Sequence, residues 1–391
     1  YKKINLYLSE LTEFNASNQY AVGIAGLYKF LKFFPDFKNT ININFHIDNI
    51  LKLQDSQEGW FNEYDGFDLG YLSVTLEALS DIYEITENNK IKISLDLIID
   101  FVYKIIDKNG QLPFTINSRN TEYFLPYGLV KNLNTNNKSG PILNLLFNNM
   151  DTNVHFIKGN DDRYHSHYIF ASILKCLPHL KNKTSFAQLD FIENIKFENA
   201  GIIKKYFKNY DVTIYIGLKK GGIIRVHDHK NQKIFLQNGF RALKGKTILT
   251  NNFQSKNWKF NINNEEIICE GYFIKTNYII SSPIKHFLLR LASFIFGKKI
   301  IKFLKRLMIF NKISKKHSYK RKIRFIDNFI IEDIFVGFSG YKLKINPKQN
   351  LRHVASADIF SDEDFCEDII ELNPKLIQED TFEIKNKFNF N

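Results

Sequence analysis

Cysteine is scarce in this chain of 391 residues, and no uncharged apolar run is long enough to cross a bilayer. The three cysteines, Cys176, Cys269 and Cys366, are widely spaced and odd in number. Such a pattern provides neither a disulfide framework nor the paired spacing of a zinc site, and it favours a reducing compartment. We therefore expect no disulfide, no metal and no other cofactor.

The sequence also lacks an initiator methionine and an apolar leader, since it begins at Tyr1. We interpret it as a processed form or a fragment, from which a signal segment could have been removed. A cytoplasmic or membrane-peripheral location is the first expectation, and secretion is the alternative if a leader was removed.

The first half of the sequence carries apolar residues at helical spacing. Three such patterns each predict an amphipathic helix, at residues 18–34, 72–85 and 91–106. Turns rich in Asp, Asn and Gly recur about fifty residues apart, at residues 55–59, 107–110 and 159–162. A repeated unit of two helices and one turn is typical of stacked helical hairpins. The alternative is that similar turns recur by chance in an Asn-rich sequence.

The second half changes to short runs of β-branched and aromatic residues, bounded by Gly, Asn, Lys or Asp, which predict strands. These runs lie at residues 212–218, 222–227, 266–274 and 329–335. Helices followed by strands indicate a two-domain α+β fold. We expect a helical domain over residues 1–204 and an antiparallel β domain over residues 205–391.

The net charge of +13 is concentrated in one stretch of the β domain. Residues 285–324 contain fourteen Lys and Arg residues and no Asp or Glu, interleaved with Phe, Leu and Ile. We expect a basic amphipathic excursion that binds an anionic partner, either a membrane surface or an acidic glycan. The alternative is a segment that packs its apolar face on the β domain and leaves its lysines in water. Nucleic acid is an unlikely partner, because no recognisable nucleic-acid module accompanies the charge.

Polar and aromatic residues gather at the turns between the predicted helices. Two glycine-punctuated turns, at residues 59–71 and 117–128, should open on the same end of a helical bundle and form a cleft. A third group, at residues 161–168, begins a predicted helix. The candidate site residues in these segments are Trp60, Tyr71, Arg119, Asn120, Glu122, Tyr127, Arg163, Tyr164 and His165.

These segments resemble the heparinase II/III-like polysaccharide lyases. The resemblance rests on the turns at 59–71 and 118–122, on the Tyr164-His165 pair, and on the order of helices before strands. It covers the architecture and residues 55–178. The resemblance implies an N-terminal incomplete (α/α) toroid and a C-terminal antiparallel β-sandwich.

The resemblance also implies roles for the site residues. In such enzymes Asn, or Asn with Arg, binds the uronate carboxylate, while Tyr and His remove the C5 proton and protonate the leaving oxygen. By that analogy Asn120 neutralises the carboxylate with Arg119 beside it, and His165 with Tyr164 or Tyr127 handles the protons. Removal of a proton α to a carboxylate needs such donors, because the developing enolate charge must be stabilised.

The leading expectation is therefore an acidic polysaccharide lyase that acts by β-elimination at a uronic acid, or a C5-epimerase that uses the same proton abstraction. Trp60, Tyr71, Arg119, Glu122 and Arg163 are expected to contact the substrate. Two alternatives stay open. The carboxylates Glu63, Asp65, Asp68 and Glu122 are sufficient for a glycoside hydrolase. The toroid could also belong to a non-catalytic carbohydrate-binding or surface polysaccharide assembly protein.

The strand-rich half offers two histidines, in the sequence Arg225-Val226-His227-Asp228-His229. His227 is the candidate substrate-binding residue of this half. A metal site at His227 and His229 is an alternative, since alternate residues of a strand share a face. Chance produces the same placement about as often, so we expect no metal there.

Overall fold

The structure is a computed structural model, which describes twelve stretches of the chain. These are residues 15–36, 42–119, 121–148, 169–180, 190–263, 265–276, 282–297, 312–326, 328–345, 372, 374–378 and 380–388. The fold is mixed α+β, with helices first and antiparallel sheets after them, as the sequence predicts. Within these stretches, no helix combines the length and the apolar character needed to cross a membrane.

The chain divides into two compact units. The first comprises Tyr1–Gly217, Ile224–Phe235 and Ser356–Ile359, and the second comprises Leu218–Ile223, Leu236–Ala355 and Phe360–Asn391. The strands begin at Ile195, earlier than the expected boundary at residue 204, and the first three strands belong to the unit that contains the helices.

Seven helices of the described chain lie in the first unit. They are α1 Ser17–Phe33, α2 Ile43–Leu51, α3 Leu69–Thr86, α4 Asn89–Ile105, α5 Tyr127–Lys131, α6 Ser139–Asn148 and α7 Phe170–Leu180. Side-chain caps fix several helix starts: Asp68 accepts a hydrogen bond from the Tyr71 amide, and Asn88 accepts one from the Lys90 amide. The predicted helices at 18–34, 72–85 and 91–106 are confirmed as α1, α3 and α4.

Helix α3 is the centre of the first unit, because every residue from Leu69 to Ile82 is buried. Two glycines allow neighbours to approach it closely. A Cβ at Gly128, in α5, would lie 2.6 Å from the Leu76 side chain, and a Cβ at Gly70 would lie 2.3 Å from the Thr121 hydroxyl oxygen. Only glycine fits at both positions, so α5 and the 117–123 loop pack directly on α3.

Strands β1 to β5 form a five-stranded sheet in chain order. They are β1 Ile195–Phe197, β2 Ile202–Phe207, β3 Val212–Gly217, β4 Ile223–Asp228 and β5 Lys233–Gln237. In the first unit, β2 and β3 pack on the end of α4. The Tyr215 hydroxyl donates to the Ile105 carbonyl at 2.8 Å, and the Lys204 ammonium donates to the Ile106 carbonyl at 2.6 Å. Such bonds satisfy carbonyls that a helix end leaves unpaired.

The second unit contains a larger, curled antiparallel sheet. Its strands are β6 Phe240–Lys244, β7 Thr247–Thr250, β8 Lys259–Ile262, β9 Glu266–Thr276, β10 Lys312–Ile326, β11 Asn328–Val336, β12 Lys342–Ile345, β13 Lys375–Gln378 and β14 Thr381–Phe388. Their order across the sheet is β12-β6-β7-β9-β10-β11-β14-β13, and β8 pairs with β9. Trp258, Phe273, Tyr319 and Phe335 are at the centre of its apolar core.

The expected excursion over residues 285–324 is too long, because β10 is a central strand of this sheet. Alternation along β10 buries Tyr319, Arg321 and Ile323 on one face. The Arg321 guanidinium is fully buried and forms two hydrogen bonds with the Asp333 carboxylate, at 2.6 and 3.0 Å. An ion pair therefore allows a basic segment to supply a core strand.

The earlier part of the same segment contains helix α8, Pro283–Phe296. Pro283 stands at the first helical position, and Gly297 follows the last residue with a φ of 52°. Both are favoured residues for those places. Among the described side chains of the helix, all but the half-buried Ala292 are exposed. Ser282, which precedes the helix, is also half-buried.

Candidate functional site

The two glycine-punctuated turns lie side by side in the first unit. The Ser118 amide donates to the Phe67 carbonyl at 2.8 Å, and the Ser118 hydroxyl donates to the Glu63 carbonyl at 2.7 Å. Asn117 accepts from the Leu69 amide at 3.1 Å and donates to the Thr121 carbonyl at 2.9 Å. The loop that carries Arg119 is thus fixed to the start of α3.

Asp68 holds this loop in shape. Its buried carboxylate accepts hydrogen bonds from the amides of Tyr71 and Arg119, both at 3.1 Å, and a short one from the Thr121 hydroxyl. Glu63 has a comparable role, because it accepts from the Ser17 hydroxyl and the Asn18 amide, both at 2.7 Å. These two carboxylates of the hydrolase alternative are internal acceptors that organise the turns.

Arg119 is the one cation of this loop, and it has no carboxylate partner among the residues that the structure describes. The residue is 8 % exposed, and its guanidinium stacks over the Tyr64 ring at 4.8 Å. Its Nε is buried without a hydrogen-bond partner in the described chain. A buried guanidinium normally has a carboxylate or phosphate partner, so this arrangement suits an anionic ligand.

Tyr64 adopts an uncommon backbone conformation in presenting its ring to Arg119. Its φ is 55° and that of Asp65 is 68°, in the left-handed region that bulky residues rarely occupy. The Tyr64 amide donates to the Asn15 carbonyl at 2.7 Å, which holds the turn in place. Residues kept in such conformations cluster at functional sites.

The predicted aromatic residues lie in different environments. The Trp60 indole donates to the Glu58 carboxylate at 2.9 Å and is half-buried. Tyr71 is buried in an apolar cluster with Val74, Tyr123, Leu125 and Ile169. The structure therefore places Tyr71 inside the packed interior and not on an open wall, because α3 is covered at this turn. Asn120, Arg163, Tyr164 and His165 lie outside the described residues.

A pocket of about 280 Å³ opens between α1, α3 and α7. Its polar wall contains Glu77 and Asp81, which are four residues apart and share one face of α3. Lys29 pairs with Asp81 at 2.5 Å, and Lys175 lies 3.8 Å from Glu77. The Ser172 hydroxyl donates a short hydrogen bond to Glu77. We call this the Glu77 pocket.

Tyr127 borders the Glu77 pocket. Its hydroxyl donates to the Asp81 carboxylate at 3.3 Å, and the Lys175 ammonium lies 5.0 Å from the ring centre. Burial raises the pKa of Tyr127 well above its ordinary value, and the charge on Asp81 raises it further. Tyr127 therefore stays protonated and can donate a hydrogen bond, but its raised pKa makes it poorly suited to give up or take a proton near neutral pH.

Glu77 has the character of a general acid. Burial raises the pKa of its carboxyl to about 7, and the charge of Asp81 adds to the effect, while Ser172 and Lys175 oppose it. A carboxyl group with a pKa near neutrality is protonated often enough to donate a proton to a leaving group. The pocket thus combines a protonated acid with a second carboxylate.

A second polar network lies on β4 and at the end of α4. His227 contacts Asp107 through Nδ1 at 2.5 Å, and its Nε2 accepts from the Arg225 guanidinium at 2.6 Å. Burial lowers the pKa of His227 to about 4, so the ring is neutral and Nδ1 donates to Asp107. Arg225 lies near Thr115; burial lowers the pKa of its guanidinium, and the negative charge of Glu122 opposes that change.

This network accounts for His227 and limits the metal alternative. Both ring nitrogens of His227 are already hydrogen-bonded, and His229 uses Nε2 in a 2.7 Å contact with the Thr213 hydroxyl. Among the residues that the structure describes, no group of three His, Cys, Asp or Glu side chains could hold a metal ion. His227 therefore positions Arg225, which in turn lies in the field of Glu122.

Sequence reasoning missed Glu77, Asp81, Asp107 and Arg225. A signal existed for the first two, because Glu77 and Asp81 stand four apart in the otherwise uncharged segment 69–83. Arg225 and His227 are alternate residues of one strand and share its face. Asp107 gave no local signal, since it lies 120 residues from His227.

No protein-family model matches this chain, and no curated protein matches it. We therefore infer the function from the contacts around Arg119, Glu77 and His227.

Proposed function

We propose that the protein is an acidic polysaccharide lyase or a C5-epimerase, whose helical domain over residues 1–204 is an incomplete (α/α) toroid and whose domain over residues 205–391 is a β-sandwich. The observation that carries the proposal is Arg119, a nearly buried cation without a carboxylate partner in the described chain. The adjacent turns and the Asp68 hydrogen bonds hold it in a fixed position.

The chemistry assigns Arg119 a specific task. In β-elimination, a base removes the C5 proton of a uronic acid, and negative charge develops on the carboxylate as an enolate. A guanidinium presents parallel N–H donors that match a carboxylate. Its stacking on Tyr64 fixes the plane of those donors, so little reorganisation is needed when the charge develops.

The proton-transfer roles follow from the same proposal. Asn120 assists Arg119 at the carboxylate, and Tyr164 and His165 supply the base and the acid. Tyr127 serves as a hydrogen-bond donor, because its raised pKa disfavours the phenolate. Glu122 and His227 act through Arg225 and orient the substrate at the edge of the loop.

Incubation with a panel of uronate polymers tests this proposal. A lyase produces an unsaturated sugar whose absorbance grows with time, whereas an epimerase exchanges the C5 proton with solvent deuterium without that absorbance. Arg119→Gln should lower kcat/KM by about a hundredfold or more, the range for loss of one charge-stabilising donor. Arg324→Gln is the matched control, because Arg324 forms half-buried ion pairs with Glu266 and Glu332 in the second unit. It should leave the rate unchanged.

A glycoside hydrolase is the second candidate, and the Glu77 pocket favours it. Glu77 would protonate the leaving oxygen while Asp81 acts as the second carboxylate. New reducing ends without unsaturated absorbance, abolished by Glu77→Gln and retained in Arg119→Gln, would establish hydrolysis and overturn the lyase proposal. Unsaturated product that depends on Arg119 and persists in Glu77→Gln would exclude the hydrolase.

A further inference from the structure

Helix α8 exposes large apolar side chains that have no packing role in the described chain. Eight such residues are at least one-third exposed, namely Ile284, Phe287, Leu288, Leu289, Leu291, Phe294, Ile295 and Phe296. Phe294 is 88 % exposed and Phe287 is 65 % exposed. Contiguous apolar surface of this kind on a folded protein marks a site of interaction.

Three of the four charged or polar residues of α8 occupy one narrow stripe. His286, Arg290 and Ser293 follow the spacing i, i+4 and i+7, which places them on one face of the helix, and Lys285 is the fourth. The exposed apolar residues cover most of the remaining circumference. A broad apolar face with a narrow polar stripe fits a helix that lies in the plane of a lipid interface.

The charge of the chain segment that contains α8 indicates which surface it meets. From Gly271 to Ile326 the sequence contains no Asp or Glu. Within the described residues, Arg290 on α8 and Lys315 and Lys316 on β10 are exposed and have no carboxylate partner. Their uncompensated positive charge complements the anionic lipids of a membrane surface.

The length of α8 restricts the mode of binding. Its 14 residues extend about 21 Å at 1.5 Å per residue, which is shorter than the roughly 30 Å hydrocarbon core of a bilayer. The helix also carries Arg290 near its middle. It can therefore lie on a membrane, but it cannot span one.

We propose that α8 anchors the protein to an anionic membrane surface, with Phe287 and Phe294 in the acyl region and Arg290 at the headgroups. This role is independent of the proposed catalytic function, since none of the residues invoked for catalysis belongs to α8. It narrows the expected anionic partner of the basic segment to a lipid surface, and it confines the apolar contact to one helix.

Vesicle flotation tests the anchor with the full chain. The protein should float with phosphatidylcholine vesicles that contain about one-third phosphatidylserine, and much less with phosphatidylcholine alone. The double variant Phe287→Ser/Phe294→Ser should weaken partitioning roughly a hundredfold. Arg290→Glu should weaken it about tenfold on the anionic vesicles only, and added salt should reduce it in the wild type.

Two matched variants separate the anchor from general surface effects. Ile93→Ser removes a single apolar side chain that is 62 % exposed on α4, and Lys230→Glu makes the same charge change on an exposed turn. Both should float like the wild type. The proposal is overturned if the wild type does not float, if the double variant floats equally well, or if α8 instead mediates self-association that the double variant abolishes without any effect of lipid.

Discussion

Glu77 provides a quantitative test of the electrostatics of the first unit, through the variant Glu77→Gln. Burial raises the pKa of Glu77 from 4.5 to about 7. Between these values the folded protein retains a proton that the unfolded chain has released, so protonation favours the folded state at the acidic end of the range. The stability that this proton supplies is lost as the pH rises from about 4.5 to about 7, and above about 7, where the buried group is ionised, the loss is complete.

The size of the effect follows from the shift. A change from 4.5 to about 7, at about 1.4 kcal/mol for each unit, corresponds to about 3 kcal/mol. Gln has a similar shape and cannot ionise. Its altered hydrogen bond with Ser172 contributes equally at every pH, so that contribution cancels when two pH values are compared. Relative to the wild type, Glu77→Gln should gain about 3 kcal/mol in unfolding free energy between about pH 4.5 and about pH 8.

Urea unfolding followed by the helical circular dichroism signal measures this difference, because most described helices lie in the first unit. Glu84→Gln is the control on the same helix, since the Glu84 side chain is 59 % exposed and pairs with Lys131. This variant reports the effect of removing a carboxyl group from the same helix outside the Glu77 pocket. If the difference in unfolding free energy between wild type and Glu77→Gln stays constant within about 0.5 kcal/mol from pH 5 to pH 8, the pKa of Glu77 is not raised by burial.

Two further predictions concern buried charges. Arg321→Met should lower the unfolding free energy by about 3 to 5 kcal/mol, because Asp333 would remain buried without its ion pair. Arg321→Met/Asp333→Leu should recover most of that loss in urea unfolding. An unfolding free energy of Arg321→Met within about 1 kcal/mol of the wild-type value would contradict a stabilising ion pair. Burial lowers the pKa of His227 from 6.5 to about 4, so the unfolded chain takes up a proton first as the pH falls. The contribution of His227 to stability is therefore complete above about pH 6.5 and declines toward pH 4, by up to about 1.4 kcal/mol per pH unit. His227→Gln should remove this dependence of the unfolding free energy on pH across that range. An unchanged pH dependence in His227→Gln would exclude His227 as its source.

The sequence predicted the long elements of the fold well. Helices α1, α3 and α4 and strands β3, β4, β9 and β11 coincide with clear helical or β-branched patterns. The short helix Tyr127–Lys131 has too few residues to show a helical period, and it depends on the close approach of Gly128 to α3. Strand β1 has only three residues, so it leaves almost no pattern in the sequence.

The site was harder to predict, because its organising contacts join residues far apart in sequence. Asp68 caps α3, and it also fixes the Arg119 loop 51 residues away. Basic residues of the 285–324 segment look alike in sequence. Arg321 is nevertheless a core residue, because it is paired with Asp333 on the neighbouring strand β11. Pairings of this kind depend on the fold and leave no local pattern.

Calorimetric titration tests the central claim most directly, that Arg119 binds the carboxylate of an acidic sugar. A uronate oligosaccharide and its carboxyl-reduced neutral counterpart are titrated into the wild type, Arg119→Gln and Arg324→Gln. We expect the wild type and Arg324→Gln to bind the acidic sugar and to discriminate against the neutral one by at least tenfold, and Arg119→Gln to lose that discrimination. Equal affinity of the wild type and Arg119→Gln for the acidic sugar would show that Arg119 does not bind the carboxylate.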